Sequence, residues 1–215
     1  KHFDGFPTNA HPMSILSAMI SALQSHDLPE HQFTDANGFR EAAASLIANN
    51  NVNTNANGGG VSVNGTMNMY GGTISGCSAC RGGGVAVSSS GVFNMYGSPS
   101  TATGLSATNI VSNTTKAYSG KGGHGGGVFV NGTFHFYGGT IAKNTSASDG
   151  GGVAVNTGTF QVLPGDYPAF IFENATASGR YGGGIWTSTS ANSLFLVESE
   201  SDLIVGNNKA GYGGG

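Results

Sequence analysis

Three consecutive glycines followed by Val or Ile open at Gly58, Gly82, Gly125, Gly150 and Gly182, and a further triplet stands at Gly213. Successive starts lie 24, 43, 25, 32 and 31 residues apart. The first and third units match closely: GGGVSVNGTMNMYGGTISGC against GGGVFVNGTFHFYGGTIAKN. Each holds three short blocks, built on Val61 and Val63, Met67 and Met69, and Ile74 in the first unit, and on Val128 and Val130, Phe134 and Phe136, and Ile141 in the third. Alternation at period two marks a strand with one buried face. The blocks stand too close together for helices between them. A three-strand unit that cannot bury its own face stacks on copies of itself. The repeat therefore predicts a mainly β chain, a parallel β-helix with one rung per unit. Its repeat core is Val61, Val63, Val85, Val128, Val130, Val153 and Ile185, with Val61, Val85, Val128, Val153 and Ile185 in one column.

The corners have their own signature. Glycine reaches positive φ without penalty where one strand gives way to the next. Asparagine tolerates the left-handed region and bonds to neighbouring backbone. An I-x-x-N pattern runs from Ile47 to Asn50, Ile110 to Asn113, Ile141 to Asn144, Ile171 to Asn174 and Ile204 to Asn207, with Cys77 holding the Asn place in the first unit. The longest unit carries an insertion, read between Ser98 and Tyr118. Loops leaving one face of a solenoid are common binding elements.

Composition excludes several classes. Glycine supplies 38 of 215 residues, yet Pro is only 6 and glycine does not recur every third residue, so collagen fails. Charged residues are 9%, against a usual ~25%, so charge-driven disorder fails. A net charge of −3 with 8 basic residues opposes a nucleic-acid footprint. No apolar run approaches the ~20 residues of a membrane-spanning helix.

The first part of the chain differs. Residues 1–57 hold two glycines, Gly5 and Gly38, and the other 36 follow. Ile15, Leu16, Met19, Ile20 and Leu23 after Pro12 keep amphipathic helical spacing. A second helix is expected from Gly38 to Ala48, with Phe39, Ala43, Leu46 and Ile47 on one face. The expected organisation is a helical segment at 1–48, a polar junction at 49–57 and the solenoid at 58–215. Two short helices bury too little to stand alone, so this segment gains stability only as a cap on the open end of the solenoid, joined at Ile47. The chain begins at Lys1 and stops inside a glycine triplet, which reads as a fragment of something longer. Its final rung then leaves an edge open to end-to-end self-association.

Two resemblances attach to these parts. GFPTNAHPMSILSAMISAL at Gly5 to Leu23 and FREAAASLIA at Phe39 to Ala48 resemble part of the large helical domain of citrate synthase. That family is cytoplasmic, and the motifs that carry its catalytic histidines and aspartate are absent from this chain, so no catalytic role passes to His11. The GGG-[VI] and I-x-x-N pair over 46–215 resembles the GGA-[ILV] and F-x-x-N repeats of polymorphic outer-membrane proteins and autotransporter-like passengers, with GGG for GGA and Ile for Phe. This likeness implies a right-handed β-helix, an extracellular or cell-surface location, and an adhesive or structural role toward a host-surface or carbohydrate ligand. Chimeric assembly or a recombination product explains the two together in one chain at least as well as a functional fusion does.

Chemical candidates are few. Cys77 and Cys80 form one C-x-x-C, without the second pair that zinc needs, and read as corner thiols or a local disulfide. Glu198, Glu200 and Asp202 alternate, so in a strand they would share a face as a calcium stripe or a solvated acidic edge. His135 alternates with Phe134 and Phe136 and is expected to point outward. A carbohydrate-active enzyme needs grouped acids, and Asp149, Asp166 and Glu173 fall at different places in the repeat. Five N-x-S/T triplets begin at Asn64, Asn113, Asn131, Asn144 and Asn174, most of them read as turn asparagines. The sequence assigns no catalytic residue and no cofactor.

Overall fold

The computed structural model describes residues 46–52, 55–98, 108–118 and 122–215. The chain divides into two units, Lys1–Ser45 and Leu46–Gly215, and the described residues all belong to the second. The expected helices and cap lie outside the described residues, except at 46–48. There the expectation is corrected: β1 (Leu46–Ala48) is a strand, paired in parallel with the first rung, Ile47 against Ile74. Stacking continues through the expected junction, since Asn51 and Asn57 form parallel bridges to Ser78 and Arg81.

The first full rung runs through β2 (Val61–Val63), β3 (Thr66–Met69), β4 (Gly72–Ser75) and β5 (Ser78–Ala79). The second repeats this as β6 (Val85–Val87), β7 (Val92–Met95), β8 (Thr108–Val111) and β9 (Thr114–Thr115). The third is β10 (Val128–Val130), β11 (Thr133–Phe136), β12 (Gly139–Ala142) and β13 (Thr145–Ser146). The fourth is β14 (Val153–Val155), β15 (Thr159–Val162), β16 (Ala169–Phe172) and β17 (Ala175–Thr176). The fifth holds β18 (Ile185–Thr187), β19 (Leu194–Val197) and β20 (Leu203–Gly206). Equivalent strands pair into four all-parallel sheets, ordered β1-β4-β8-β12-β16-β20, β2-β6-β10-β14-β18, β3-β7-β11-β15-β19 and β5-β9-β13-β17. This is a parallel β-helix.

Registers place like on like. Val61, Val85, Val128, Val153 and Ile185 are successive partners, as are Val63, Val87, Val130 and Val155. Inner members of both columns are buried, while Val61 and Ile185 at the two ends are half-buried. Phe93, Phe134, Phe160 and Phe195 stack with centroids 5.0, 4.9 and 5.1 Å apart, which the ~4.8 Å spacing of parallel strands dictates. The long second unit is not one inserted block. Strands β8 and β9 split the extra length into one part between Met95 and Thr108 and another between Thr115 and Val128.

One corner explains both sequence signatures. Asn49, Gly76, Ser112, Lys143, Glu173 and Asn207 all take positive φ, between 53° and 62°. The residue after each carries the ladder: Asn50, Cys77, Asn113, Asn144, Asn174 and Asn208. Asn144 Oδ1 accepts from the Asn113 backbone N–H at 2.9 Å and from Asn113 Nδ2 at 3.0 Å, and Asn144 Nδ2 donates to Ile110 O at 2.9 Å. Asn174 and Asn208 repeat these bonds toward the rung before them. Asn113, Asn144 and Asn174 are fully buried. The last unit corrects the expected phase by one residue. Ile171 pairs with Val205, so Val205 and Asn208 fill the repeat positions, and Ile204 is exposed.

The third glycine of each triplet packs beneath this ladder. A methyl on Gly127 would sit 2.9 Å from Asn144 Nδ2 and 3.0 Å from Ile141 Cγ2, too close for a Cβ. The first glycine of every triplet has φ between 61° and 73°, and at Gly58, Gly82, Gly125, Gly150 and Gly182 it makes the sharp entry into β2, β6, β10, β14 and β18.

Removing one rung of the ladder strands buried polar backbone. Asn144→Ala leaves the Asn113 N–H and the Ile110 carbonyl without their bonds, and is expected to cost about 2–5 kcal/mol in urea unfolding. A change below about 0.5 kcal/mol would mean the ladder is decorative. Cys77 tests the converse. Its N–H donates to Asn113 Oδ1 at 3.0 Å and its Sγ lies 3.8 Å from Ile47 O, the carbonyl an asparagine would reach. Cys77→Asn is expected to raise stability by about 1 kcal/mol, and a lowered unfolding midpoint would contradict this account.

Candidate ligand face

Side chains at alternate positions of β3, β7, β11 and β15 point away from the core. Register sets Asn68, Asn94, His135 and Gln161 in one row across them. Asn94 Nδ2 donates to Asn68 Oδ1 at 2.8 Å, which leaves Asn94 Oδ1 to accept from His135 Nδ1 at 2.8 Å. With its proton on Nδ1, the imidazole offers Nε2 as an acceptor. His135 is half-buried on the outer face. Burial lowers its pKa below the ordinary 6.5 and favours the neutral ring. Gln161 donates to Glu198 instead.

A tyrosine column borders this row. Tyr70, Tyr96 and Tyr137 follow the last residues of β3, β7 and β11. Their rings stack with centroids 4.6 Å apart at both steps. Partial burial and the neighbouring phenols of Tyr137 and Tyr70 hold the Tyr96 hydroxyl above its usual pKa, so it remains a donor. His135 meets the edge of Tyr137 at 6.2 Å. A groove of about 250 Å³ runs between the tyrosines and the turn after β15, lined by Tyr96, Gly97, Tyr137, Pro164, Gly165 and Asp166. The face thus joins neutral amides, an imidazole, phenol edges and the exposed carboxylates of Asp166 and Glu198.

The sheet holding β10, β14 and β18 carries a second cluster on its outer side. His124 stacks on Trp186 at 5.2 Å, and its Nδ1 lies 3.5 Å from Asp149 Oδ2. Asp149 is tied down by the Tyr181 N–H at 3.0 Å and by Ser148 Oγ at 3.3 Å. Burial lowers the His124 pKa, Asp149 opposes that shift, and Arg81 and Arg180 reinforce it. Arg81 also lies over the Phe129 ring at 6.0 Å.

Other sequence candidates are scattered. Glu198, Glu200 and Asp202 lie in the turn between β19 and β20, with Glu200 at φ 65°, so they do not form the one-faced strand stripe considered from their spacing. No cluster of three His, Cys, Asp or Glu side chains suited to a metal ion occurs among the described residues. Cys77 and Cys80 are both buried, with Cys77 Sγ donating to the Ser75 carbonyl at 3.3 Å and Cys80 Sγ to Asn55 Oδ1 at 3.1 Å. Asp149 is buried at the glycine corner, Asp166 lines the tyrosine groove, and Glu173 pairs with Lys143 at 3.6 Å beside the asparagine corner. Asp149, Asp166 and Glu173 thus lie at three different places in the rung. Of the N-x-S/T asparagines, Asn113, Asn144 and Asn174 are sealed in the ladder and Asn131 accepts from Asn156, while Asn64 is exposed. Among the described residues, no helix is long and apolar enough to cross a membrane.

Comparison with protein-family models, with curated proteins and with solved structures gives no match.

Both half-buried histidines resist protonation in the folded chain, whereas an unfolded chain protonates them near pH 6.5. The unfolded state then binds more protons in the window from about 6.5 down to the lowered native values. Stability is complete above that window and falls as pH drops through it. The thermal midpoint is expected to be lower at about pH 5.5 than at about pH 7.5, and the His124→Gln/His135→Gln variant to lose less over that interval. An equal loss in both proteins would remove these histidines as the cause.

Proposed function

We propose that the solenoid is an extracellular or surface-displayed module with an adhesive or structural role. Its ligand is a neutral, hydroxyl-rich chain such as a polysaccharide, laid along the face of Asn68, Asn94, His135 and the tyrosine column. The observation that carries this reading is the continuous outward row, hydrogen-bonded from Asn68 to His135 beside three stacked tyrosines. Amide and phenol groups on a ~4.8 Å repeat offer donors and acceptors at regular intervals, which suits a periodic ligand. Asp166 at the groove accepts two sugar hydroxyls in the manner of any exposed carboxylate. The repeat motifs agree with a surface passenger of the polymorphic outer-membrane type, and the same likeness supports the location.

Binding is favoured over hydrolysis of the same ligand because a glycosidase needs two carboxyl groups about 5–10 Å apart. The groove presents Asp166, while Asp149 and Glu173 sit at other corners. The test is a microarray of bacterial and host polysaccharides probed with the full chain. Retention on a neutral polysaccharide is expected, and Asn94→Ala with Tyr137→Ala is expected to reduce it at least about tenfold, the loss of roughly 1.4 kcal/mol. No retention on any glycan, or equal retention by the variant, would overturn the proposal.

A further inference from the structure

The outward column of the valine sheet alternates rings with alanines. Register sets Ser62, Ala86, Phe129, Ala154 and Trp186 in one line across β2, β6, β10, β14 and β18. Side chains from the corner before the glycine triplets reach this line. Arg81 sets its guanidinium 6.0 Å from the Phe129 ring centroid, and His124 stacks on Trp186 at 5.2 Å. Asp149 and Arg180 belong to the same corner, just before the fourth and fifth rungs. Two guanidiniums thus stand against one carboxylate, in a chain whose net charge is −3.

The carboxylate is already engaged. Asp149 is buried and accepts from the Tyr181 N–H and from Ser148 Oγ, with His124 Nδ1 at 3.5 Å. The guanidiniums are not. Among the described residues, neither Arg81 nor Arg180 takes part in an ion pair. Arg81 uses one of its five N–H donors on Asn57 Oδ1 at 3.3 Å. A guanidinium seated over a ring keeps its donor edge for an oxyanion. Arg180 is exposed. Burial lowers the His124 pKa and Asp149 opposes that, while both arginines add to the lowering, so their charges converge on this ring.

We propose that this corner binds an acidic polysaccharide, whose carboxylate or sulfate groups meet Arg81 and Arg180 while the sugars between them cross the stack of His124 and Trp186. Arg81 precedes the second rung and Arg180 the fifth, so roughly 14 Å of stacked strands separates the two corners. One small anion cannot bridge that span, whereas a chain bearing repeated oxyanions can. Guanidiniums match either oxyanion bidentately. The site lies on a different sheet from the row of Asn68, Asn94 and His135. The choice of a sugar chain among polyanions rests on the ligand class proposed for that row. A chain with 8 basic residues in all offers little to nucleic acid.

The test is surface plasmon resonance of the full chain over immobilised hyaluronate, dextran sulfate or single-stranded DNA, with far-UV circular dichroism as a control for fold. Binding to an acidic polysaccharide is expected, and hyaluronate alone would assign carboxylate, dextran sulfate alone sulfate. Arg81→Gln with Arg180→Gln is expected to weaken it at least about tenfold. Lys143→Gln with Lys209→Gln removes the same charge beside the asparagine corner and is expected to leave affinity within about twofold. Should Arg81→Gln alter the spectrum, Arg180→Gln alone decides, with a loss of about threefold expected. Excess uncharged dextran is expected not to displace the acidic polymer. None of these readings depends on retention of a neutral ligand, so the two sites stand or fail separately. No binding to either acidic polysaccharide, tighter binding to single-stranded DNA, displacement by dextran, or an equal loss in the lysine variant would overturn the site.

Discussion

The buried asparagine ladder is the constraint on which the other features of the solenoid depend. A parallel coil must turn a corner in every rung, and each turn rotates backbone groups out of the sheet while keeping them in the interior. Such groups cost free energy unless they are bonded. Asn113, Asn144 and Asn174 meet this with a side chain that both donates and accepts along the stack, tying each rung to the ones before and after it. The left-handed residue before each asparagine aims it inward. The amides then crowd the glycine triplet that opens their own rung so closely that only glycine fits at Gly84, Gly127 and Gly152. The glycine triplet and the distant asparagine are two sides of one packing contact, which is why both recur in the sequence with the same phase.

That coupling made the architecture legible. The triplet fixes where each rung opens, and alternation after it names the buried valines without any knowledge of the fold. The place of Cys77 in the ladder also followed from phase alone. The failures came where local pattern is ambiguous. Leu46, Ile47 and Ala48 satisfy helical spacing and the strand repeat equally well, and the neighbouring Ile74 strand decides for β. In the last unit Ile204 and Val205 are both β-branched and each is followed three residues later by Asn, so composition cannot choose between them. The left-handed turn at Asn207 does, because it leaves Asn208 to face inward.

The candidate ligand face was less visible for a different reason. Its tyrosines sit just beyond the strands, outside the alternation that marks the core. A signal was present: Met69-Tyr70-Gly71, Met95-Tyr96-Gly97 and Phe136-Tyr137-Gly138 share one phase of the repeat. The long second unit spreads them unevenly along the chain, and only the register restores their 4.6 Å stacking. The His124 and Trp186 contact had no such signal, since it joins a residue just before the glycine triplet Gly125–Gly127 to a strand two rungs on.

The fold dictates what points inward and leaves the outward columns free, so function has to be sought there. On this chain the row Asn68, Asn94, His135 and Gln161 is polar without being charged. Long-range electrostatic steering is weak on such a surface, and salt has little to screen. Affinity must come from many short hydrogen bonds and aromatic edges repeated along one direction. Each contributes little net free energy against water, about 0.5–1.5 kcal/mol, so useful affinity requires a ligand long enough to engage several rungs at once.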